Sequence, residues 1–265
     1  MKTGIIIQAR VSSERLPNKV LKELPYAGGV TVLGQVIRRL KKIRSCVDEI
    51  IVATTIGAKD NPIEKIAESE GVNCFKGDEN DVLSRYYHAA MHYKLDIIVR
   101  ITADCPCIDP AITASVIDRH KEARSEYTSN TLLRTYPRGF DTEVFHFNAL
   151  KQAYQCAKKD YEREHVTPFI YLNPEKFRIL NVPAPQELAG PDIRITLDTE
   201  EDYALLAAVY DYLYPRNNYF DAYEIADLFR EKPWLKLINI KVRQKQIFSV
   251  PKAGLIEGFT MKSEL

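Results

Sequence analysis

The sequence predicts an α/β protein whose mostly parallel sheet is flanked by helices. In its first half, short apolar runs alternate with longer stretches of helical periodicity, which is the pattern of βαβ units. The chain has 265 residues, and 45% of them are hydrophobic, so it can bury a core of that size. These observations favour one large α/β domain, or one such domain with a smaller appendage.

Four strands and four helices are predicted in alternation in the first half of the chain. The strands are buried apolar runs, and each helix carries apolar residues on one face. Asp109 and Pro110 mark one helix start, because an acidic N-cap before proline favours helix initiation. The predicted strands are residues 4–9, 49–54, 72–75 and 96–102, and the predicted helices are residues 31–44, 62–70, 80–93 and 110–123.

The second half, from residue 126, has a different pattern. Residues 126–147 are rich in Thr, Tyr and Arg, with turn signals at Tyr136-Pro137 and Arg138-Gly139. The helix predicted from residue 199 has three acidic residues in its first turn, which complement the helix dipole. We predict helices at residues 148–158, 161–172, 199–214 and 221–231, and strands at residues 177–182 and 193–197. Residues 241–265 are interpreted as a C-terminal extension of a domain that spans residues 1–240.

Charge and hydropathy exclude several classes of protein. Lys and Arg number 37 and Asp and Glu 36, for a formal charge of +1, which argues against a nucleic-acid partner. No apolar run approaches the ~20 residues that a membrane span needs, and the N-terminus lacks the layout of a signal peptide. The five cysteines have no disulfide-framework spacing, so we expect reduced thiols. These features predict a cytoplasmic protein.

The turn after the first strand, residues 8–19, is rich in groups that bind anions. Within ten residues it carries three cations and two hydroxyls, namely Arg10, Ser12, Ser13, Arg15 and Lys19. Ligands of parallel sheets bind beyond the carboxyl ends of the strands, and a triphosphate needs fixed cations with N–H or O–H donors. The step into Pro17 is extended, which lets Lys19 fold back toward the turn. A solvated basic loop is the alternative that these residues alone leave open.

The motif Gln8-Ala9-Arg10-x-x-Ser13-x-Arg15-Leu16-Pro17-x-Lys19 resembles the signature of the sugar-acid cytidylyltransferases. That group includes the CMP-Kdo synthetases, the acylneuraminate cytidylyltransferases and the spore coat polysaccharide SpsF-like proteins, and the match is closest to the SpsF-like branch. The resemblance spans residues 3–214. Several motifs in the family's order identify the family more specifically than a single motif does. The later motifs are Gly77-Asp78-Glu79-Asn80-Asp81-Val82-Leu83, Arg100-Ile101-Thr102-Ala103-Asp104-Cys105-Pro106, Pro137-Arg138-Gly139-Phe140-Asp141, Arg163-Glu164-His165-Val166-Thr167-Pro168 and Leu197-Asp198-Thr199-x-x-Asp202.

The resemblance implies a Rossmann-like sheet of the GT-A type, in a homodimeric enzyme that uses Mg²⁺ and CTP. Such an enzyme transfers CMP to a sugar acid, releases pyrophosphate and serves surface polysaccharide or glycan biosynthesis. Residues 126–182 would then form a smaller α+β region for substrate binding or dimerisation.

The resemblance also assigns the nucleotide-binding residues. Arg10 and Lys19 are expected to bind the triphosphate and to act in catalysis, with Ser13 donating from the same turn. The family often has glycine at the positions of Val11 and Ser12, so side chains are expected to carry more of the phosphate contact here. The remaining nucleotide-binding candidates are Gln8, Ala9, Ala53, Thr54, Gly77 and Asp81, although Asp81 is equally suited to cap a helix.

Two aspartates that follow predicted strands are candidate metal ligands. Asp104 comes after the strand 96–102 and Asp198 after the strand 193–197, so both are expected at carboxyl strand ends. Mg²⁺ prefers one or two carboxylates together with waters and phosphate oxygens. The resemblance places the family's metal ligands at these positions and gives Asp104 a catalytic role. Helix capping is the alternative, above all for Asp198.

Five residues of the second half are candidates for binding the sugar: Arg138, Asp141, Arg163, Glu164 and His165. A guanidinium pairs with a carboxylate through two hydrogen bonds, so the two arginines are the candidates for the acid group. His165 is a candidate base, but a structural or dimer-interface histidine fits the sequence equally well.

Three alternative functions are open at this point. A GT-A glycosyltransferase shares the sheet but generally has an Asp-x-Asp motif, which Asp104-Cys105-Pro106 is not. A nucleotidyltransferase for another acceptor or nucleotide would use the same phosphate-binding residues. A non-catalytic nucleotide-binding protein would not need Arg10, Lys19, Asp104 and Asp198 together.

Overall fold

The computed structural model of the chain describes residues 1–43 and 45–244, and the strands in these ranges form one seven-stranded sheet. The strands are β1 (Thr3–Gln8), β2 (Glu49–Thr55), β3 (Asn73–Gly77), β4 (Ile97–Thr102), β5 (Tyr127–Ser129), β6 (Glu143–His146) and β7 (Ile179–Asn181). Their order in the sheet is β3-β2-β1-β4-β6-β5-β7, and only β6 runs antiparallel to its neighbours. The predicted α/β class with a mostly parallel sheet is confirmed.

Helices cover both faces of this sheet. They are α1 (Val32–Leu40), α2 (Asn61–Ser69), α3 (Val82–His92), α4 (Pro110–Ala123), α5 (Phe147–Cys156), α6 (Asp160–His165), α7 (Pro168–Tyr171), α8 (Glu200–Leu213) and α9 (Ala222–Glu231). Successive residues of a strand face opposite sides, so Ile5 and Ile7 of β1 pack with α1, α2 and α4, whereas Ile6 packs with α3 and α5. A third apolar cluster lies around α8 and α9.

The elements predicted in the first half are all present, and α4 agrees at both ends. Asp109 caps that helix as predicted, because its side chain accepts hydrogen bonds from the backbone N–H groups of Ala111 and Ile112. Residues 126–182 contribute β5, β6 and β7 to the main sheet. Strands β5 and β6, which are three and four residues long, were not predicted from the sequence. Strands this short leave almost no periodicity to detect.

The predicted strand 193–197 is wrong. In the described residues the segment forms one isolated bridge, between Arg138 and Arg194, and no strand. Ile193, Ile195 and Leu197 are buried in the cluster around α8 and α9, so packing against helices produces the same alternation as a strand. Gly139 lets the two segments approach, since an added Cβ at its φ of 121° would lie 2.6 Å from the Ile195 carbonyl oxygen.

The predicted helix 161–172 is also wrong, because two short helices, α6 and α7, replace it. Val166 between them has a φ of 71°, outside the helical region, and Pro168 begins the second helix. Within the described ranges, no helix has the length and hydropathy to cross a membrane. The predicted C-terminal extension lies outside the described residues from position 245 onward.

Candidate active site

A cleft of about 740 Å³ opens at the carboxyl ends of β1 and β4. This is the edge at which open α/β sheets bind their ligands. Its lining brings together ten residues to which the sequence assigned a role in binding or catalysis: Gln8, Arg10, Ser13, Lys19, Asp104, Arg138, Asp141, Glu164, His165 and Asp198. Glu164 and His165 reach the cleft from the end of α6.

Four cleft-lining residues belong to a charged cluster that we call the lysine corner, formed by Arg15, Lys19, Asp104, Arg194, Asp198 and Asp202. The Lys19 Nζ donates to Asp104 Oδ2 at 2.6 Å and to Asp198 Oδ1 at 2.8 Å. Burial alone lowers the pKa of Lys19, but the two carboxylates outweigh it and raise the pKa above the usual lysine range. The structure therefore joins two sequence-distant aspartates through one ammonium group.

Asp198 is surrounded by cations. In addition to Lys19, Arg15 and Arg194 contact its Oδ2, at 3.1 Å and 2.6 Å respectively. Burial raises the pKa of Asp198, but Lys19 and the two arginines outweigh burial and lower the pKa to about 2. The side chain is therefore a carboxylate at neutral pH.

Neither candidate metal ligand is needed as a helix cap. Thr199 is the N-cap of α8 and forms a capping box with Asp202, and Asp109 caps α4. Asp202 is 0% exposed and also bonds Arg194 Nε at 2.9 Å, so it links the helix start to the lysine corner. The capping alternative for Asp198 is thereby removed.

The turn after β1 folds back as its sequence predicts. Asn18 adopts a left-handed conformation with a φ of 59°, and its N–H donates to the Val11 carbonyl at 3.2 Å. A short 3₁₀ helix, Lys19–Leu21, follows at once and directs Lys19 into the cleft. Arg10 and Ser13 line the cleft from the same turn.

A second cluster, which we call the arginine corner, consists of Arg134, Arg138 and Asp141. Arg134 forms a two-pronged pair with Asp141, with Nη1–Oδ1 at 2.7 Å and Nη2–Oδ2 at 2.8 Å. Within residues 1–43 and 45–244, the Arg138 guanidinium has no hydrogen-bond or ion-pair partner. Burial and the neighbouring Arg134 lower the pKa of Arg138. Arg134 was not predicted from the sequence, because nothing local marks its pairing with Asp141 across the turn.

Arg100 in β4 is another cleft residue, which the sequence placed in a motif without a role. Its Nη1 pairs with Glu143, and its Nη2 donates to Gln8 Oε1 at 3.3 Å. Glu143 also accepts from the Tyr127 hydroxyl at 2.7 Å. The pairing follows from the antiparallel register of β4 and β6, which sets Arg100 opposite Glu143. A sequence in which β6 is not recognised cannot reveal it.

Six predicted site residues do not line this cleft in the described part of the chain: Ala9, Ala53, Thr54, Gly77, Asp81 and Arg163. Asp81 is the N-cap of α3 and accepts from Arg163 Nε at 2.8 Å. The helix-cap reading of Asp81 is the one that the structure shows. The Arg163 guanidinium is bound to Asp81 and does not line the cleft, which leaves Arg138 as the arginine predicted for the acid group of the sugar that does.

The lysine corner has a donor set that fits a divalent cation held partly by substrate. The described residues contain no group of three or more His, Cys, Asp or Glu side chains that encloses a metal. Mg²⁺ is usually bound through one or two carboxylates, with waters and substrate phosphates as the other ligands. Asp104 and Asp198, which contact the same nitrogen atom, form such a pair.

Comparisons with known proteins agree with this geometry. Residues 4–232 match the profile of the cytidylyltransferase family. The chain is 41% identical over 247 residues to an uncharacterized protein of Methanocaldococcus jannaschii, covering 92% of this chain and 97% of that protein. It is 32% identical over 206 residues to the spore coat polysaccharide biosynthesis protein SpsF of Bacillus subtilis, covering 77% of this chain and 85% of that protein.

A solved structure is also similar. A cytidylyltransferase from Leptospira borgpetersenii superimposes with a TM-score of 0.81 at 36% identity, covering 89% of this chain and 96% of that one. The resemblance drawn from the motifs is confirmed. The chain belongs to the cytidylyltransferase family and is a CTP-dependent nucleotidyltransferase.

Proposed function

We propose that this protein transfers CMP from CTP to a sugar acid and releases pyrophosphate. The observation that carries the proposal is the Arg138 guanidinium, which faces the same cleft as Lys19 and Asp104 without a partner among the described residues. A guanidinium binds a carboxylate through two parallel hydrogen bonds. An acceptor with a carboxylate would supply the partner that Arg138 lacks.

Asp141 attracts Arg138 but forms no salt bridge with it in the described part of the chain, and both of its oxygens are bound to Arg134. Two cations therefore share one carboxylate in the arginine corner. Burial strengthens the effect, since charges interact more strongly away from water. The arginine corner therefore favours an anionic acceptor over a neutral sugar.

In the proposed reaction, a hydroxyl of the acceptor, the anomeric one, attacks the α-phosphorus of CTP. A bond from phosphorus to the acceptor oxygen forms, the bond to the bridging oxygen breaks, and pyrophosphate leaves. The hydroxyl proton passes to solvent. Arg10 and Lys19 would neutralise the charge that develops on the phosphates, and the Ser13 hydroxyl would donate from the same turn.

We propose Mg²⁺ as the cofactor, with Asp104 and Asp198 as its protein ligands. When bound, it would supply charge neutralisation and orientation for the triphosphate. The support for these ligands is that both carboxylates contact one cation already and that neither is engaged in capping.

Other parts of the assignment stay predictions. Gln8, Asp141, Glu164 and His165 lie at the cleft, where they can contact substrate. Ala53 and Thr54 lie near the carboxyl end of β2, and Gly77 is the last residue of β3. We infer a homodimer in the cytoplasm from the resemblance and the composition. Because the name of the Bacillus subtilis relative places it in spore coat polysaccharide biosynthesis, we also propose a role in making a surface polysaccharide.

The test is a panel of acceptors incubated with the protein, CTP and Mg²⁺. Each sugar acid, for example Kdo or N-acetylneuraminate, is paired with an analogue whose carboxyl group is reduced to an alcohol. Pyrophosphate release is measured, and the nucleotide sugar is identified by mass. We expect turnover with one or more acids and little with the matched alcohols.

Three results would contradict the proposal. Equal turnover of an acid and its matched alcohol would contradict the claim that the acceptor's carboxylate is recognised. Release of a nucleotide without pyrophosphate would indicate a glycosyltransferase. An undiminished rate with UTP, GTP or ATP in place of CTP would contradict the assignment of CTP as the nucleotide substrate.

A further inference from the structure

We propose that Asp60 is a positioning residue that fixes the turn after β1 in the shape that CTP binding requires; this rests on the proposed role of that turn. Asp60 lies in a short 3₁₀ helix after β2, Ala58–Asp60, and is not part of the cleft lining. Its Oδ1 accepts a hydrogen bond from the Val11 backbone N–H at 2.7 Å. The loop after the second strand thus holds the loop after the first.

Asp60 is a costly residue to bury, and the structure shows what stabilises it. The side chain is 0% exposed and forms no salt bridge within the described residues. The Thr55 hydroxyl donates to its other oxygen, and that hydroxyl in turn accepts from the Gly57 N–H at 3.2 Å. Buried carboxylates persist only where such donors satisfy them. The acceptor offered to Val11 is therefore fixed before any ligand arrives.

Both backbone polar groups of Val11 are engaged inside the protein. Its N–H is bound by Asp60, and its carbonyl accepts from the Asn18 N–H at 3.2 Å. The Val11 amide is consequently not a phosphate donor. The neighbouring Arg10 and Ser13 present their side chains to the cleft from a turn that is held on both sides.

This arrangement explains how the turn functions with valine at a position where the family often has glycine. A glycine loop approaches phosphate through its backbone, whereas a braced loop offers fixed side chains. Fixing the donors beforehand reduces the entropy that ligand binding must overcome. Asp60 acts through Val11 and never contacts the substrate.

A purely structural aspartate would change stability without a specific effect on CTP. Asp109 provides the matched control, since it is 2% exposed and its carboxylate accepts from three backbone N–H groups, those of Ala111, Ile112 and Ala222. It does not line the cleft. Asp109→Ala removes a carboxylate that is similarly buried and accepts three hydrogen bonds against two for Asp60, at a position away from the turn.

The experiment compares Asp60→Ala, Asp60→Asn, Thr55→Val and Asp109→Ala with the wild type. It measures the melting temperature, the Kd of CTP with Mg²⁺ by calorimetry, and amide hydrogen exchange over residues 10–13 in the ligand-free protein. We expect Asp60→Ala to weaken CTP binding about tenfold and to speed exchange in the turn. Asp60→Asn keeps an oxygen for Val11, and its amide N–H can donate to the Thr55 hydroxyl once that hydroxyl turns its proton away, so its Kd should stay within about threefold.

Asp109→Ala should lower the melting temperature while leaving the Kd of CTP unchanged. The proposal is overturned if Asp60→Ala leaves the Kd unchanged, or if the two alanine variants change it equally. If Asp60→Ala does not fold, Thr55→Val provides the test, because it removes the hydroxyl that holds the Asp60 carboxylate in place. Thr55→Val must then weaken CTP binding more than Asp60→Asn does. A wild-type protein that fails to bind CTP would contradict the proposed function. Hydrogen exchange at residues 10–13 that is the same in Asp60→Ala as in the wild type would contradict only the claim that Asp60 holds the turn.

Discussion

The two charged corners of the cleft differ in how their charges are balanced. In the lysine corner three cations meet three carboxylates, namely Arg15, Lys19 and Arg194 with Asp104, Asp198 and Asp202. In the arginine corner two cations share one carboxylate, because Asp141 is bound to Arg134 and Arg138 is left over. A balanced corner can exchange internal partners for a nucleotide's phosphates and a cation. A corner with one excess positive charge is suited to bind an anionic substrate group.

The largest expected effect comes from removing the cation that joins the two aspartates. Lys19→Met should lower kcat about 100- to 1,000-fold, because a buried donor that stabilises developing charge is lost. Lys22→Met is the control, since Lys22 contacts Glu200 at 3.4 Å and does not line the cleft. Steady-state kinetics with CTP check both variants. Similar kcat values for the two variants would contradict the special place of Lys19.

Removing the unpaired guanidinium should affect only the acceptor. Arg138→Met is expected to raise the KM of the best acid acceptor about 10- to 100-fold and to leave the KM of CTP unchanged, because one charge-assisted pair is lost. Arg163→Met removes an arginine whose partner is Asp81, outside the cleft lining, and should lower stability instead. If both substrates lose affinity in Arg138→Met, the two corners do not have separate roles.

The excess positive charge of the arginine corner can be removed and restored by substitution. Arg134→Met frees Asp141, which should then neutralise Arg138 and raise the acceptor KM about tenfold. Adding Asp141→Asn removes the freed charge, so the double variant should return toward the wild-type KM. Such non-additivity is the signature of residues that share one network. Additive losses in the double variant would show that Arg138 does not respond to the charge of Asp141.

The smallest effect is the pH dependence of the lysine corner's contribution to stability. The pKa of Asp198 falls from its ordinary 3.8 to about 2, so its contribution is complete above the unfolded pKa and is lost as pH falls through about 2. Wild type should exceed Asp198→Asn in unfolding free energy by on the order of 1–2 kcal/mol at pH 7, discounted for partial exposure.

Urea titrations at pH 7, 4 and 3 measure that difference. It should be constant down to the ordinary aspartate pKa and shrink below it. A difference that grows as the pH falls would have the wrong sign for a carboxylate held by cations.

How far the sequence predicts the molecule depends on whether the signal is local. The strands and helices of the first half are marked by apolar runs and caps, and they are found where expected. The alternation of residues 193–197 is equally local but ambiguous, since burial against α8 and α9 imitates a strand. Short strands such as β5 and β6 carry too few residues for any period.

The site residues also divide into those with a local sequence signal and those without one. The turn from Arg10 to Lys19 and the two aspartates are recognisable from motifs, and the structure brings them to one cleft. The partners of Arg100 and of Arg163 depend on strand register and helix packing, which no single segment encodes. Asp60 was not singled out because a buried acid next to a helix start looks like a cap.

The most direct test of the account is the contribution of Mg²⁺ to CTP affinity in wild type, Asp104→Asn and Asp198→Asn. Calorimetry with and without Mg²⁺ gives this contribution as a ratio of two Kd values for each protein. The account predicts that each substitution abolishes most of the Mg²⁺ enhancement, while metal-free CTP binding is retained or improved because a negative charge near the phosphates is gone. An undiminished Mg²⁺ enhancement in both variants would contradict the claim that these two aspartates bind the nucleotide's metal ion.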